Sequence, residues 1–281
     1  MADFSAADVA ALRKATGAGM MDCKTALEEN SGDMEAAKDW LRTKGKVAAG
    51  KRAGRSADQG AIDVLVDGGV GAVVELTAET DFVAKGADFT GVVAELVKLA
   101  VQEGKQELAE IEYQGGTVGE HITQLAATLG ENIALGRVIV YESTDGLIDG
   151  YRHNQNERGV IGVLLELGGV DPSDAKAQAV AHDIALHIAS AAPQFLTRDD
   201  VPPEVIERER AVFEELTRNE GKPENAIPKI VEGRLGGFYK ENVLLEQGFI
   251  KEPKTTISQL LEGLGSDATV RRFARVKIGE A

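Results

Sequence analysis

Two well-separated stretches of this chain repeat one another: Gly60-Ala-Ile-Asp63 is echoed by Gly146-Leu-Ile-Asp149, and Gly71-Ala-Val-Val-Glu75 by Gly162-Val-Leu-Leu-Glu166. In the first copy Ile62, Val64 and Val66 alternate, Asp67-Gly68-Gly69 supplies a turn, and residues 71–76 return, the pattern of a β-hairpin. The second copy lies in a strand-rich section from Arg137 to Leu167. Helical spacing follows each copy. After the first come Phe89, Val92, Val93, Leu96 and Leu99, then Ile122, Leu125, Leu129 and Ile133; after the second, Val180, Ile184 and Ile188 within residues 174–191. A hairpin with helices over it, made twice, predicts an α+β fold with two related core halves, residues 60–144 and 145–281, each an antiparallel sheet covered by helices.

Upstream the apolar period is helical. Ser5 with Asp8 three residues later reads as an N-cap, Val9 and Leu12 share a face, and Thr16-Gly17-Ala18-Gly19 breaks the pattern. Two more helices are predicted over 22–29 and 33–44, the second carrying Met34, Ala37, Lys38 and Leu41 and stopping at Gly45. Residues 1–45 thus make a three-helix unit, near the lower size limit for folding alone. Lys44, Lys46, Lys51, Arg52 and Arg55 then stand among small residues with little to bury, so 46–59 reads as a solvated basic linker. Past Pro202-Pro203 the chain is dense in charge, with a narrow apolar stripe of Ile206, Phe213 and Leu216. So thin a stripe suits a protruding helical hairpin over about 202–235. Pro228 falls in the first turn of its return arm, 224–235, or kinks it. A helix over 256–264 and a strand over 270–278 close the chain.

The charge balance, 31 basic against 46 acidic residues and net -15, argues against phosphate neutralisation as the main task and for a protein or small-ligand partner. The single Cys23 closes no internal disulfide, acids stand where a signal peptide needs a basic end, and no apolar stretch approaches the roughly 20 residues of a membrane span. The expectation is a soluble, cytoplasmic protein. Gly45-Lys-Val-Ala-Ala-Gly50-Lys51 imitates a phosphate-binding loop, but Arg52 stands where Ser or Thr must hold magnesium and no strand precedes it. His121, His153, His182 and His187 have no metal-ligand spacing, and no nucleophile elbow or dinucleotide fingerprint occurs. No catalytic residue, metal or cofactor is therefore assigned. The segment Glu79-Thr-Asp-Phe-Val-Ala-Lys85 stands out between a strand and a helix. Either Thr80 or Asp81 caps the helix and Phe82 tucks beneath as a hydrophobic staple, or Phe82 faces a partner. Met20-Met21 similarly reads as small-core packing or as an adaptable partner surface.

Along nearly its whole length the sequence resembles the elongation factor Ts family. Leu12-Arg13, Thr16-Gly-Ala-Gly-Met-Met-Asp-Cys-Lys24 and Gly32-Asp33 resemble that family's ubiquitin-associated-type three-helix domain, and Thr80-Asp-Phe-Val83 its signature loop. Leu129-Gly-Glu-Asn-Ile133, Gly150-Tyr-Arg-His153, Val231-Glu-Gly-Arg234 and Lys254-Thr255 with Gln259-Leu-Leu261 follow in family order. The resemblance implies paired core subdomains and a coiled-coil excursion. It implies a guanine-nucleotide exchange factor without covalent chemistry, whose partner is elongation factor Tu in its GDP-bound and nucleotide-free forms. Thr80, Asp81, Phe82 and Val83 would disturb that partner's magnesium and phosphate site, and Met20, Met21, Leu129 and His153 would make further partner contacts. No direct contact with nucleic acid is expected. The end of the chain soon after Val276-Lys-Ile-Gly-Glu280 implies that the small C-terminal module of some members is missing. Two other readings remain: a non-enzymatic ribosome- or RNA-associated module, and an enzyme using Asp81 and His153 as an acid and base pair.

Overall fold

The computed structural model describes residues 4–280, and of Lys46 the backbone alone. Met1, Ala2 and Asp3, on which the leader reading partly rests, and Ala281, the end of the predicted second half, lie outside the described residues. Helix α1 (Ala6–Thr16) starts in a reciprocal capping box: the Asp8 N–H donates to Ser5 Oγ at 3.3 Å and the Ser5 N–H to the Asp8 carboxylate at 2.7 Å. Gly17 ends it at a φ of 68°. Helices α2 (Met20–Glu29) and α3 (Met34–Arg52) follow. Together they enclose a small core of Val9, Leu12, Cys23, Ala26, Leu27, Ala37 and Leu41.

Strands β1 (Gln59–Asp67) and β2 (Val70–Ala78) form the first hairpin, with Val64 opposite Val73. Next come α4 (Asp81–Ala84), α5 (Ala87–Glu103), a small ribbon of β3 (Glu112–Tyr113) and β4 (Gly116–Thr117), and α6 (Val118–Leu129). Strand β5 (Ala134–Glu142) then returns beside β2, giving the antiparallel order β1-β2-β5. The second half has the same plan. Strands β6 (Leu147–Gln155) and β7 (Arg158–Gly168) form a hairpin, followed by α7 (Ala175–Ala191), α8 (Pro203–Asn219) and α9 (Ile227–Asn242). After β8 (Gly248–Phe249), β9 (Glu252–Thr256) and α10 (Ile257–Glu262), strand β10 (Thr269–Lys277) pairs with β7 in the order β10-β7-β6.

Alternation along the strands separates two kinds of core. Outward-facing Val74 and Leu76 meet Phe89 and Leu96 of α5, and Leu165 and Leu167 meet Ile184 of α7 and Ile257 of α10. On the inner faces Ile62, Val73 and Tyr141 pack against Ile148, Leu164 and Val276, so the two sheets lie face to face between helical layers. The repeated residues share these inner faces. A Cβ on Gly71 would stand 2.8 Å from Ile148 Cγ2, and one on Gly162 2.7 Å from Ile62 Cγ2; each glycine lets the opposite sheet approach. The repeated glutamates are buried and bonded from the neighbouring strand: Arg137 Nε donates to Glu75 at 2.9 Å, and Arg272 Nε and Arg271 Nη1 donate to Glu166 at 2.6 and 3.1 Å.

Four local expectations are corrected. Helix α3 does not stop at Gly45 but runs to Arg52, so residues 46–52 are helical rather than linker, and the imitation of a phosphate loop is no loop. Gly45 serves a helix crossing instead: its Cβ would lie 2.8 Å from Cβ of Ala127 in α6. Helix α6 ends at Leu129, where Gly130 turns out at a φ of 79°, so Ile133 lies beyond it. In the α8–α9 hairpin, Ile206 and Phe213 meet Ile227, Val231 and Leu235, whereas Leu216 is exposed and Thr217 takes the inner position. Helix α9 continues past Leu235 to Asn242, and Pro228 sits second in it, where no intrahelical N–H is needed and no kink results. No helix among the described residues is long and apolar enough to cross a membrane.

Candidate functional site

Strand β2 delivers the chain into a corner at Glu79. Thr80, in extended conformation, caps α4 by accepting the Val83 N–H on Oγ1 at 3.3 Å. Thr80 is itself held from outside the helix: its N–H donates to Glu131 Oε2 at 3.0 Å and its hydroxyl to Glu131 Oε1 at 2.5 Å. Glu79 Oε1 accepts the Asn132 N–H at 2.6 Å, and Asn132 Nδ2 donates to the Arg55 carbonyl at 2.7 Å. The segment that leaves α6 through Gly130 therefore clamps the segment that enters α4. Glu131 and Asn132 carry no signal of this role in the sequence beyond their place in the Leu129–Ile133 motif.

The cap reading of this segment is correct for Thr80, but the staple is not formed. Phe82 is 84% exposed, whereas Ala84 is buried and Val83 packs on the first core. A four-residue helix has no stability of its own, so the clamp and the two small apolar residues fix the direction in which Phe82 points. Beside it, Lys85 Nζ lies 2.5 Å from Asp81 Oδ2. That hydrogen bond and charge, with a smaller contribution from Arg158, hold the Asp81 carboxyl below its usual range. The loop thus presents an ionised carboxylate next to a bare aromatic ring.

The other predicted site residues lie on separate elements. Met20 and Met21 form the first turn of α2 and are 55% and 69% exposed, so they are not core packing. The turn before them meets the end of α6, where a Cβ on Gly17 would lie 3.0 Å from Thr128 Cγ2, next to half-buried Leu129. Glu131 links that end to Thr80. His153 is exposed on β6, with Nδ1 3.2 Å from the Tyr151 hydroxyl, and its neighbour Arg152 donates to Asp63 of β1 at 2.6 Å. Asp81 and His153 therefore each have a partner of their own, Lys85 and Tyr151. The bonds bring residues 80–83 together with 129–133; Met20 and Met21 join them through α6, and His153 only through the contact between the two sheets.

The family model described as Elongation factor TS matches residues 79–280, starting at the corner that carries the clamp. Similarity to individual proteins extends over the N-terminal helices as well. The elongation factor Ts of Micrococcus luteus is 45% identical over 284 residues, covering 99% of this chain and all of the relative. That of Corynebacterium glutamicum is 43% identical over 284 residues with both chains covered completely. That of Rhizorhabdus wittichii is 45% identical over 289 residues, spanning this whole chain and 94% of the relative.

Proposed function

This chain belongs to the elongation factor Ts family, and from that premise we propose that it is the guanine-nucleotide exchange factor of elongation factor Tu, promoting GDP release so that GTP can bind. Membership gives it a part in translation elongation. The observation that carries the finer reading is the exposed Phe82 on a helix clamped by Glu131. Its burial in a partner contributes about 1.5–3 kcal/mol, or roughly a tenfold to hundredfold bias between two states of that partner.

Phe82 acts as the wedge and Asp81 as the charge. An ionised carboxylate brought beside a bound magnesium ion competes for it and repels the GDP phosphates. Thr80 and Val83 hold the loop in shape, and Met20, Met21, Leu129 and His153 widen the contact. No covalent bond changes, so the mechanism needs no nucleophile or base. It must obey linkage: if the chain weakens GDP on the partner by some factor, GDP weakens the chain's own affinity by the same factor. The complex holding both is therefore transient.

The test is release of a fluorescent GDP from elongation factor Tu, chased with excess unlabelled nucleotide in a stopped-flow instrument. The expected result is a release rate that rises with the concentration of this chain and saturates. Release that stays at its spontaneous rate, with a folded chain and active partner, overturns the proposal.

A further inference from the structure

Alternation along β6 puts Asp149, Tyr151 and His153 on its outer face, beside α7. His182 of α7 stands with Nδ1 3.3 Å from Asp149 Oδ1, and its ring meets that of Tyr151 edge-on at a centroid distance of 6.0 Å. The Tyr151 ring packs on the second core, while its hydroxyl lies 3.2 Å from Nδ1 of His153. His153 itself is exposed. Ordering an exposed side chain costs entropy, yet three features hold this one. Its ring is bonded to Tyr151. Its neighbour Arg152 donates to Asp63 of the first sheet at 2.6 Å, which fixes the strand beneath it. Strand β7 also carries an extra residue, Val160, between Ile161 and Gly159, the partners of His153 and Asn154. Such a bulge interrupts regular pairing and re-aims the side chains beside it.

We propose that Tyr151 is a positioning residue for partner binding: its hydroxyl donates to Nδ1 of His153 and keeps the proton of the neutral ring on Nε2, available as a donor to a carbonyl or carboxylate oxygen of elongation factor Tu. The inference rests on the exchange reading, in which His153 widens the partner contact. A neutral imidazole has one donor and one acceptor nitrogen, and the bond made by one fixes the role of the other. A phenol that donates to Nδ1 therefore selects the tautomer with its proton on Nε2 and holds the ring in one orientation. Protonation leaves that donor in place, because Nδ1–H then donates to the tyrosine oxygen and Nε2–H is unchanged. His182 acts one step further back: with its own Nδ1 engaged by Asp149, its ring stands edge-on to Tyr151 and limits the tilt of the phenol. Because Tyr151 acts through His153, loss of its hydroxyl weakens binding and leaves the Phe82 step unchanged once the complex has formed.

The experiment has two arms, both on the full-length chain and on Tyr151→Phe, which keeps the ring that packs on the core. In the first, the imidazole nitrogens of the ¹⁵N-labelled free chain are recorded at about pH 8, above the range in which imidazoles ordinarily titrate, with His153→Ala assigning the signals. The expected result is a proton on Nε2 of His153 and a hydrogen-bonded Nδ1, whose signal in Tyr151→Phe moves to that of a solvent-exposed imidazole. A proton on Nδ1 in the parent, or a spectrum that Tyr151→Phe leaves unchanged, overturns the proposal. In the second arm, fluorescent GDP release from elongation factor Tu is followed against chain concentration. Loss of one hydrogen bond that prearranges a donor should raise the half-saturating concentration about threefold to tenfold in Tyr151→Phe, with the saturated rate and Tm unchanged. In a His153→Ala background the same substitution should have no effect. A parent-like concentration dependence in Tyr151→Phe, or an equal loss in both backgrounds, overturns the positioning role while the exchange reading stands. A parent chain that fails to accelerate release overturns the exchange reading and this role with it.

Discussion

A phenylalanine on a helix of one turn keeps a fixed direction only if the residues around it are tied down, and Thr80 and Ala84 are: the first by Glu131, the second by burial. Each of the two hydrogen bonds to Glu131 contributes about 0.5–1.5 kcal/mol net. Glu131→Ala should therefore raise the local opening of the loop roughly tenfold, read as faster hydrogen exchange at the Thr80 amide, while the global Tm changes little. Unchanged exchange at Thr80 would remove the clamp from the mechanism. The Thr-Asp-Phe-Val sequence could not say which way Phe82 points, because a capped helix with a staple and a capped helix with an exposed ring begin with the same residues. The decision lies beneath the helix, where Ala84 and Val83 rather than Phe82 pack on the first core. Glu131 escaped notice for a similar reason: an acid after a left-handed glycine looks like any solvated loop residue until its partner at Thr80 is known.

At the scale of elements, Gly45 and Gly50 make a controlled comparison within α3. Glycine inside a helix is worse than alanine by roughly 0.5–1 kcal/mol. A Cβ at Gly50 meets nothing within 4 Å, so Gly50→Ala should stabilise by about that amount; a Cβ at Gly45 meets Ala127 at 2.8 Å, so Gly45→Ala should cancel the gain or destabilise by about 1–3 kcal/mol. Urea unfolding of both variants checks the sign, and equal stabilisation would contradict the crossing. A basic run among small residues looks like linker because its own side chains have little to bury; what makes it helical is α6, far away in sequence. The repeat was more legible, since period-two spacing from Gly71 to Glu75 and from Gly162 to Glu166 puts each set on one face. Its ion pairs have a consequence in acid. Burial opposes ionisation of Glu166, but hydrogen bonds from Ser143, Arg272 and Arg271 outweigh it and leave the carboxyl below its ordinary range. A depressed folded value contributes stability above the unfolded pKa of about 4.3, and that stability is lost as pH falls through the folded value. Glu166→Gln should therefore be less stable than the parent at pH 7, with the difference shrinking toward pH 3. A constant difference across that range would count against the assignment.

For the whole molecule, the face-to-face contact of the two sheets does more than bury Ile62, Val73, Ile148 and Leu164. It brings the turn end of the second hairpin against the start of the first, where Arg158 bonds Gln59, while α6 meets the N-terminal helices at Gly17 and Gly45. The first hairpin could be read from periodicity and the second from its echo of the first, and with the helical spacing after each copy they gave the α+β class, because each reading depends on residues within one segment. The meeting of the sheets could not, because it depends on what faces Gly71 and Gly162 from the other half. The proposed role of Phe82 in nucleotide release is tested most directly by comparing Phe82→Ala with the parent chain in the stopped-flow assay at limiting concentration. An exposed ring contributes little to folding, so the variant should keep its stability within about 0.5 kcal/mol. If Phe82 is the wedge, stimulated GDP release falls at least tenfold with Tm unchanged; release as fast as the parent's from a folded variant would contradict that role.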